Sequence, residues 1–104
     1  MAEPVFQHGD LTIDYTRCEV RRDGEPVALT PTEYKLLVAL ARRAGRVLLP
    51  EELLATVWGS EYREETQHVR LYVSRLRRKI ERDPEHPSHV LTKPGIGYLF
   101  APPE

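Results

Sequence analysis

The sequence predicts an α+β domain in which a small antiparallel β-meander leads, three helices follow and a β-hairpin closes. Three observations carry this. Short period-two runs, broken by turn residues, fill Val5 to Val27. Apolar residues then recur at spacings of three and four in three segments, two of them opened by helix-start signals. Near the end, Val90-Leu91-Thr92 and Tyr98-Leu99-Phe100 flank a Pro94-Gly95 pair that suits the centre of a type II turn. A chain of 104 residues fits one domain with one core. The expected boundaries are a lead-in at 1–4, the domain at 5–100 and a disordered tail at 101–104.

In the meander, Leu11 and Ile13 alternate with Thr12 and Asp14, and Cys18 and Val20 with Glu19 and Arg21. His8-Gly9-Asp10 and Asp23-Gly24 separate the runs, the latter pair being a strong hairpin signal. The alternation places Cys18 inward as a small hydrophobe. Thr30-Pro31-Thr32-Glu33 then opens the first helix: Thr30 can cap, Pro31 suits the first helical position and Glu33 can complete a capping box. Tyr34, Leu37, Val38 and Ala41 give its buried stripe, widened by Leu36 and Leu40. Arg42 and Arg43 suit the negative end of the helix dipole, and Gly45 a left-handed cap. Arg46 to Leu49 reads as a brief extended segment. Pro50 starts a second helix with Glu51 and Glu52 in its first turn and Gly59 past its end; Leu53, Leu54, Val57 and part of Trp58 face the core. Ser60 to Glu65 is a polar, acidic connection.

The stretch Gln67 to Arg82 is the most informative. Val69, Tyr72, Val73, Leu76 and Ile80 form one apolar spine, while Gln67, Leu71, Ser74, Arg75, Arg78 and Arg82 fall on the opposite face, with Arg70 and Arg77 on the flanks. Arg70, Arg75, Arg77, Arg78, Lys79 and Arg82 stand against Glu81 alone, a net of +5, on a chain whose total is −1. The rest therefore carries −6. An arginine-rich face on an otherwise acidic domain is the electrostatic outline of a nucleic-acid-binding element. A solvated surface helix is the plainer alternative. Asp83-Pro84 and Pro87 then stop the helix.

Other functions lack their parts. His86 and His89 bracket Pro87-Ser88 without a cysteine or an evident inward carboxylate, too little for a metal site. Ser74 and Ser88 have no base–orienter arrangement, and Gly95-x-Gly97 fits a hairpin better than a phosphate cradle. No enzyme activity, cofactor or metal is expected. No apolar run approaches the ~20 residues of a membrane span. With a single cysteine and no signal peptide, the expected location is the cytoplasm.

A helix–turn–helix followed by a hairpin is a winged helix. The segments LTPTEYKLLVAL, RVLLPEELLATVWG, VRLYVSRLRRKIERDP and VLTKPGIGYLF, in this order and spacing, resemble the C-terminal effector domain of OmpR/PhoB-type bacterial response regulators from about Val5 to Phe100. The DPEHPSHV spacer and GIGYLF ending most resemble the potassium-uptake (Kdp) regulator branch.

The resemblance implies sequence-specific binding of double-stranded DNA, with the third helix (about 66–82) in the major groove and the 90–100 hairpin as wing. Arg75 occupies the position of an arginine that reads bases and phosphates. Arg78 and Ser74 share its face, Arg78 for a base edge or a phosphate, and Gln67 and His68 lie near the helix start, within reach of bases or the backbone. Leu71 is apolar on the polar face, as suits a thymine methyl or simply a surface leucine. Arg70 and Arg77 would clamp phosphates. Thr92, Tyr98 and Trp58 match positions that hydrogen-bond the DNA backbone, with packing as the alternative for each and strongest for Tyr98. Where some members carry a minor-groove arginine in the wing, Pro94 stands here, so Lys93 is expected to act mainly on phosphates or groove potential. Glu61, Glu64 and Glu65 lie in the loop that typically touches RNA polymerase, where they would suit a basic partner surface or simply be solvated. Two copies would occupy direct-repeat half-sites, under control of an N-terminal receiver domain absent from this chain. A winged-helix module that binds protein instead is the rival; it should show aromatic and aliphatic anchors where this helix has arginines.

Overall fold

Strands β1 (Val5–His8), β2 (Leu11–Asp14), β3 (Glu19–Arg22) and β4 (Glu25–Pro26) form an antiparallel sheet in sequence order. The computed structural model describes residues 4–62 and 65–103. Helices α1 (Pro31–Ala41), α2 (Pro50–Val57) and α3 (Gln67–Ile80) follow, with a 3-10 turn at Ser60–Tyr62. Strands β5 (Val90–Lys93) and β6 (Gly97–Phe100) close the fold as a hairpin. This is a winged helix-turn-helix with an N-terminal sheet.

The turn chemistry sets the meander. Asp23 and Gly24 both take positive φ, 52° and 79°, as the two centres of a tight hairpin with matching twist require. The inward residues Leu11, Ile13 and Val20 are buried. Cys18 departs from the expected alternation: it is exposed, at φ 53°. The Asp14 carboxylate accepts from the Thr16 and Arg17 amides at 3.0 and 3.1 Å, which curls 15–18 into a turn before β3 begins.

Helix α1 starts as its sequence requires. Glu33 N–H donates to Thr30 Oγ1 at 3.2 Å and Thr30 N–H to Glu33 Oε1 at 2.8 Å, closing the capping box. The same Oε1 accepts from Lys79 Nζ of α3 at 2.6 Å, so one buried carboxylate caps α1 and ties it to α3. Burial pushes the Glu33 carboxyl up, but the bonds from Lys79 and Thr30 outweigh it and hold it below its ordinary value. The α1 stripe is rotated slightly from expectation: Leu36, Leu37 and Leu40 are fully buried, while Tyr34 and Val38 are half-buried. Helix α2 begins at Pro50, with Glu52 accepting from the Leu49 amide at 3.0 Å.

One core joins the sheet, the helices and the hairpin. Leu11 and Ile13 meet Leu37 and Leu40 of α1, Leu53 and Leu54 of α2, Val69, Val73, Leu76 and Ile80 of α3, and Val90 and Phe100 of the hairpin. Each such buried side chain contributes about 1.5–3 kcal/mol. Leu48 exchanges backbone bonds with Tyr98, N–H to carbonyl at 2.7 and 3.0 Å, adding a third strand position beside β6. The approach is close enough that a Cβ on Gly97 would collide with the Leu48 carbonyl.

The end of α3 differs from the sequence reading. The helix stops at Ile80, and Glu81 is extended (φ −87°, ψ 140°), so Arg82 is not part of its outer face. The buried Glu81 carboxylate accepts from the amides of Ser88 (2.8 Å), His89 (3.0 Å) and Val90 (2.8 Å), folding the chain back into β5. Arg82 turns to the meander, 2.6 Å from Asp23 and 3.3 Å from Asp10. His89 does have an inward carboxylate: Nε2 lies 2.8 Å from Asp10 Oδ1, and Nδ1 lies 2.8 Å from His8 Nδ1. Burial pushes Asp10 up, but His89 and Arg82 hold it below the usual carboxylate value. The tail is not loose at its start: Ala101 is buried and donates its N–H to His89 O at 2.8 Å, and Pro102 lies against Gly45. Lead-in residues 1–3 and tail residue Glu104 lie outside the described residues.

Gly97→Ala should destabilise the domain by about 2 kcal/mol, from overpacking against backbone that cannot yield, in urea unfolding at neutral pH. Glu33→Gln keeps a capping acceptor and loses the ion pair, so it should cost about 1 kcal/mol at pH 7. Because the folded Glu33 value lies below 4.5, the difference between wild type and Glu33→Gln should be full above about pH 5 and vanish as pH falls through the lowered value.

Candidate nucleic-acid interface

The buried spine of α3 fixes which way its cations point. With Val69, Val73, Leu76 and Ile80 in the core, Gln67, Arg70, Leu71, Ser74, Arg75 and Arg78 are all exposed on the other side. At about 1.5 Å per residue the helix is some 21 Å long, a length suited to a duplex major groove about 12 Å wide. Leu71 is 48% exposed, the one large apolar side chain on that face.

The basic residues of the Gln67 to Arg82 stretch divide into two groups. Lys79 is tied to Glu33 and Arg82 to Asp10 and Asp23. Arg77 is half-buried: Nε donates to Val90 O at 2.9 Å, Nη2 to Thr92 Oγ1 at 2.6 Å, and its Cζ lies 5.9 Å from the Tyr98 ring centre. Burial lowers Arg77 from its ordinary value, countered in part by Tyr98 and Glu81; at this height it remains a cation. It is therefore a half-buried strut from α3 to β5, where its flank position predicts an open phosphate clamp. Arg70, Arg75 and Arg78 make no ion pair among the described residues and project outward.

Aromatic packing supports this face. Trp58, at the C-terminal end of α2, meets Tyr72 edge-to-face at 5.1 Å between ring centres, and the Arg75 guanidinium sits 5.2 Å from the Tyr72 ring centre. Tyr72, which periodicity places in the core spine, is half-buried and also meets Arg75. The three-residue spacing on a helix was the available signal. His68 is half-buried, 3.6 Å from Glu65 and with its ring 6.4 Å from that of Trp58, so it is less open than Gln67.

The wing faces α3 across an open groove whose lining includes Arg70, Ser74, Arg77, Arg78, Thr92 and Tyr98 and one acid, Glu85. Thr92 and Tyr98 are register partners across β5 and β6. Ile96 N–H donates to Lys93 O at 3.0 Å around Pro94-Gly95, the turn expected there, and leaves Lys93 and Ile96 exposed at the tip, Ile96 by 52%. Glu61 is exposed on the loop before α3 and Glu65 half-buried; Glu64 lies outside the described residues. The arrangement offers forked donors to base edges from one rod and cations and hydroxyls to phosphates from both groove walls.

Residues 24–100 match the family model described as transcriptional regulatory protein, C terminal. The transcriptional regulatory protein KdpE of Mycobacterium tuberculosis is 45% identical over 100 residues, covering 96% of this chain and 44% of that protein. The DNA-binding response regulator MtrA of Mycolicibacterium smegmatis is 47% identical over 95 residues, covering 91% and 42%. The chain thus spans less than half the length of the curated relatives it matches. Among solved structures, the Klebsiella pneumoniae RstA DNA-binding domain in complex with RstA box superposes with a TM-score of 0.86 at 34% identity, over 96% of this chain and 99% of that one. The response regulator DrrB of Thermotoga maritima, an OmpR/PhoB homologue, gives 0.87 at 35%, over 95% and 45%.

Proposed function

Because the chain belongs to the family of C-terminal domains of transcriptional regulatory proteins, we propose that it binds double-stranded DNA sequence-specifically, as the effector domain of a two-component response regulator. The observation that carries this is the set of outward guanidinium groups on α3, Arg70, Arg75 and Arg78, on a helix whose rotation the core holds fixed. Helix α3 enters the major groove and the β5–β6 hairpin lies beside it as wing. Arg75 and Arg78 present planar forks to guanine edges, while Gln67, His68 and Ser74 supply smaller polar contacts and Leu71 meets a thymine methyl. Arg70, Thr92 and Lys93 meet phosphates, and Trp58 and Tyr98 hold the helix and wing that deliver them. Arg77 borders the same groove, so its loss weakens binding to every sequence alike.

Two copies occupy direct-repeat half-sites about one helical turn apart. In the whole protein, in a bacterial cytoplasm, an N-terminal receiver governs this pairing, and the loop carrying Glu61, Glu64 and Glu65 offers carboxylates to a basic surface of RNA polymerase. No described helix is long and apolar enough to cross a membrane. KdpE and MtrA are matched at nearly equal identity, and the Kdp branch is favoured by the DPEHPSHV spacer and GIGYLF ending.

Selection of binding sites from random duplexes, followed by anisotropy titration on the recovered site, tests the proposal. Binding should weaken about tenfold or more between 50 and 200 mM salt. Arg75→Ala should cost about 1–3 kcal/mol and relax preference at one base pair, whereas Arg70→Ala should weaken all sequences and lower the salt slope by about 1. Unchanged affinity and preference in Arg75→Ala would remove it as a base reader; recovery of no preferred duplex would sink the proposal as a whole.

A further inference from the structure

We propose that Arg77 is a positioning residue of the DNA interface, acting through the Thr92 hydroxyl rather than by touching a phosphate itself. This rests on the DNA-binding function proposed above. The guanidinium is a planar fork with donors at fixed angles. Its Nε is committed to the Val90 carbonyl at 2.9 Å and its Nη2 to Thr92 Oγ1 at 2.6 Å, with its Cζ 5.9 Å from the Tyr98 ring centre. One side chain of α3 thereby holds β5, the first strand of the wing, at two points.

The chemistry at Thr92 follows from that bond. A hydroxyl has one proton to donate and lone pairs to accept with. Arg77 occupies a lone pair, which leaves the Thr92 proton for another acceptor. Thr92 is exposed and borders the groove shared with Arg70, Ser74 and Arg78, so an acceptor arriving there is a phosphate oxygen following the groove wall. Accepting from a cation also polarises the O–H and makes it a stronger donor to that phosphate. Arg77 itself is half-buried at the edge of the groove, with its Nε and Nη2 turned to β5. Its shape, more than its charge, is what the interface needs.

The test uses this chain on its selected duplex and compares wild type, Arg77→Lys, Thr92→Val, Thr92→Ser and the Arg77→Lys/Thr92→Val pair. Lysine keeps the charge and loses the fork; serine keeps the hydroxyl. Arg77→Lys and Thr92→Val should each weaken binding about tenfold, the pair no further than either alone, and Thr92→Ser should stay near wild type. Amide exchange across Val90 to Lys93 should also quicken in DNA-free Arg77→Lys. Near-wild-type affinity in Arg77→Lys, or losses that add in the pair, would overturn the proposal, because a direct phosphate clamp needs only its charge. Thr92→Val changes one exposed side chain, so unchanged binding in that variant overturns it whatever Arg77→Lys does to stability. These failures leave wild-type binding intact; a wild type that binds no duplex fails the DNA-binding function instead, and this role with it.

Discussion

Val69, Val73, Leu76 and Ile80 hold α3 at one rotation about its own axis, and the chemistry of the exposed face depends on that constraint. Successive residues are turned by about 100°, so a slip of one position would bring arginines to the core and the aliphatic spine to water. Burying even one such charge without a partner costs several kcal/mol, against the small net stability of a domain this size. The core therefore acts as a selector of orientation. Trp58, Tyr72 and Leu48 extend the same restraint outward, to the helix flank and to the wing.

A net charge of −1 describes the chain poorly. Lys79 and Arg82 are consumed in holding α3 to α1 and to the meander, each facing acids placed elsewhere in the chain. Arg70, Arg75 and Arg78 meet no such acids among the described residues and remain for a partner. The acidic excess is spent largely at helix starts and around the sheet, as with Glu33, Glu52 and Asp10. Segregation of this kind lets a nearly neutral domain present a positive rod.

What was legible in the sequence was local. Thr30, Pro31 and Glu33 announce the start of α1 because a capping box needs only four consecutive residues. Asp23-Gly24 announces its hairpin for the same reason. Interactions that close over long separations left no such mark. Nothing in the sequence links Glu33 to Lys79, Arg77 to Thr92, or Asp10 to His89, and each pairing follows only from packing. The departures from local expectation share this origin. Alternation points Cys18 inward, but Asp14 turns the chain before β3. Periodicity carries α3 to Arg82, but the helix ends at Ile80 and Glu81 accepts from the amides of Ser88 to Val90. Composition makes Ala101 part of a loose tail, but its amide donates to His89 O.

The paired imidazoles at the base of the wing carry one more consequence. With Nε2 of His89 directed at Asp10 and the two Nδ1 atoms 2.8 Å apart, a single hydrogen must lie between the rings. Either His8 supplies it to a bare nitrogen of His89, or His89 supplies it to a bare nitrogen of His8; both rings cannot be doubly protonated while they touch. The tautomer of a residue in β1 is thus tied to that of a residue entering β5, so the amino-terminal sheet and the hairpin share one proton, though 81 positions separate them in the chain.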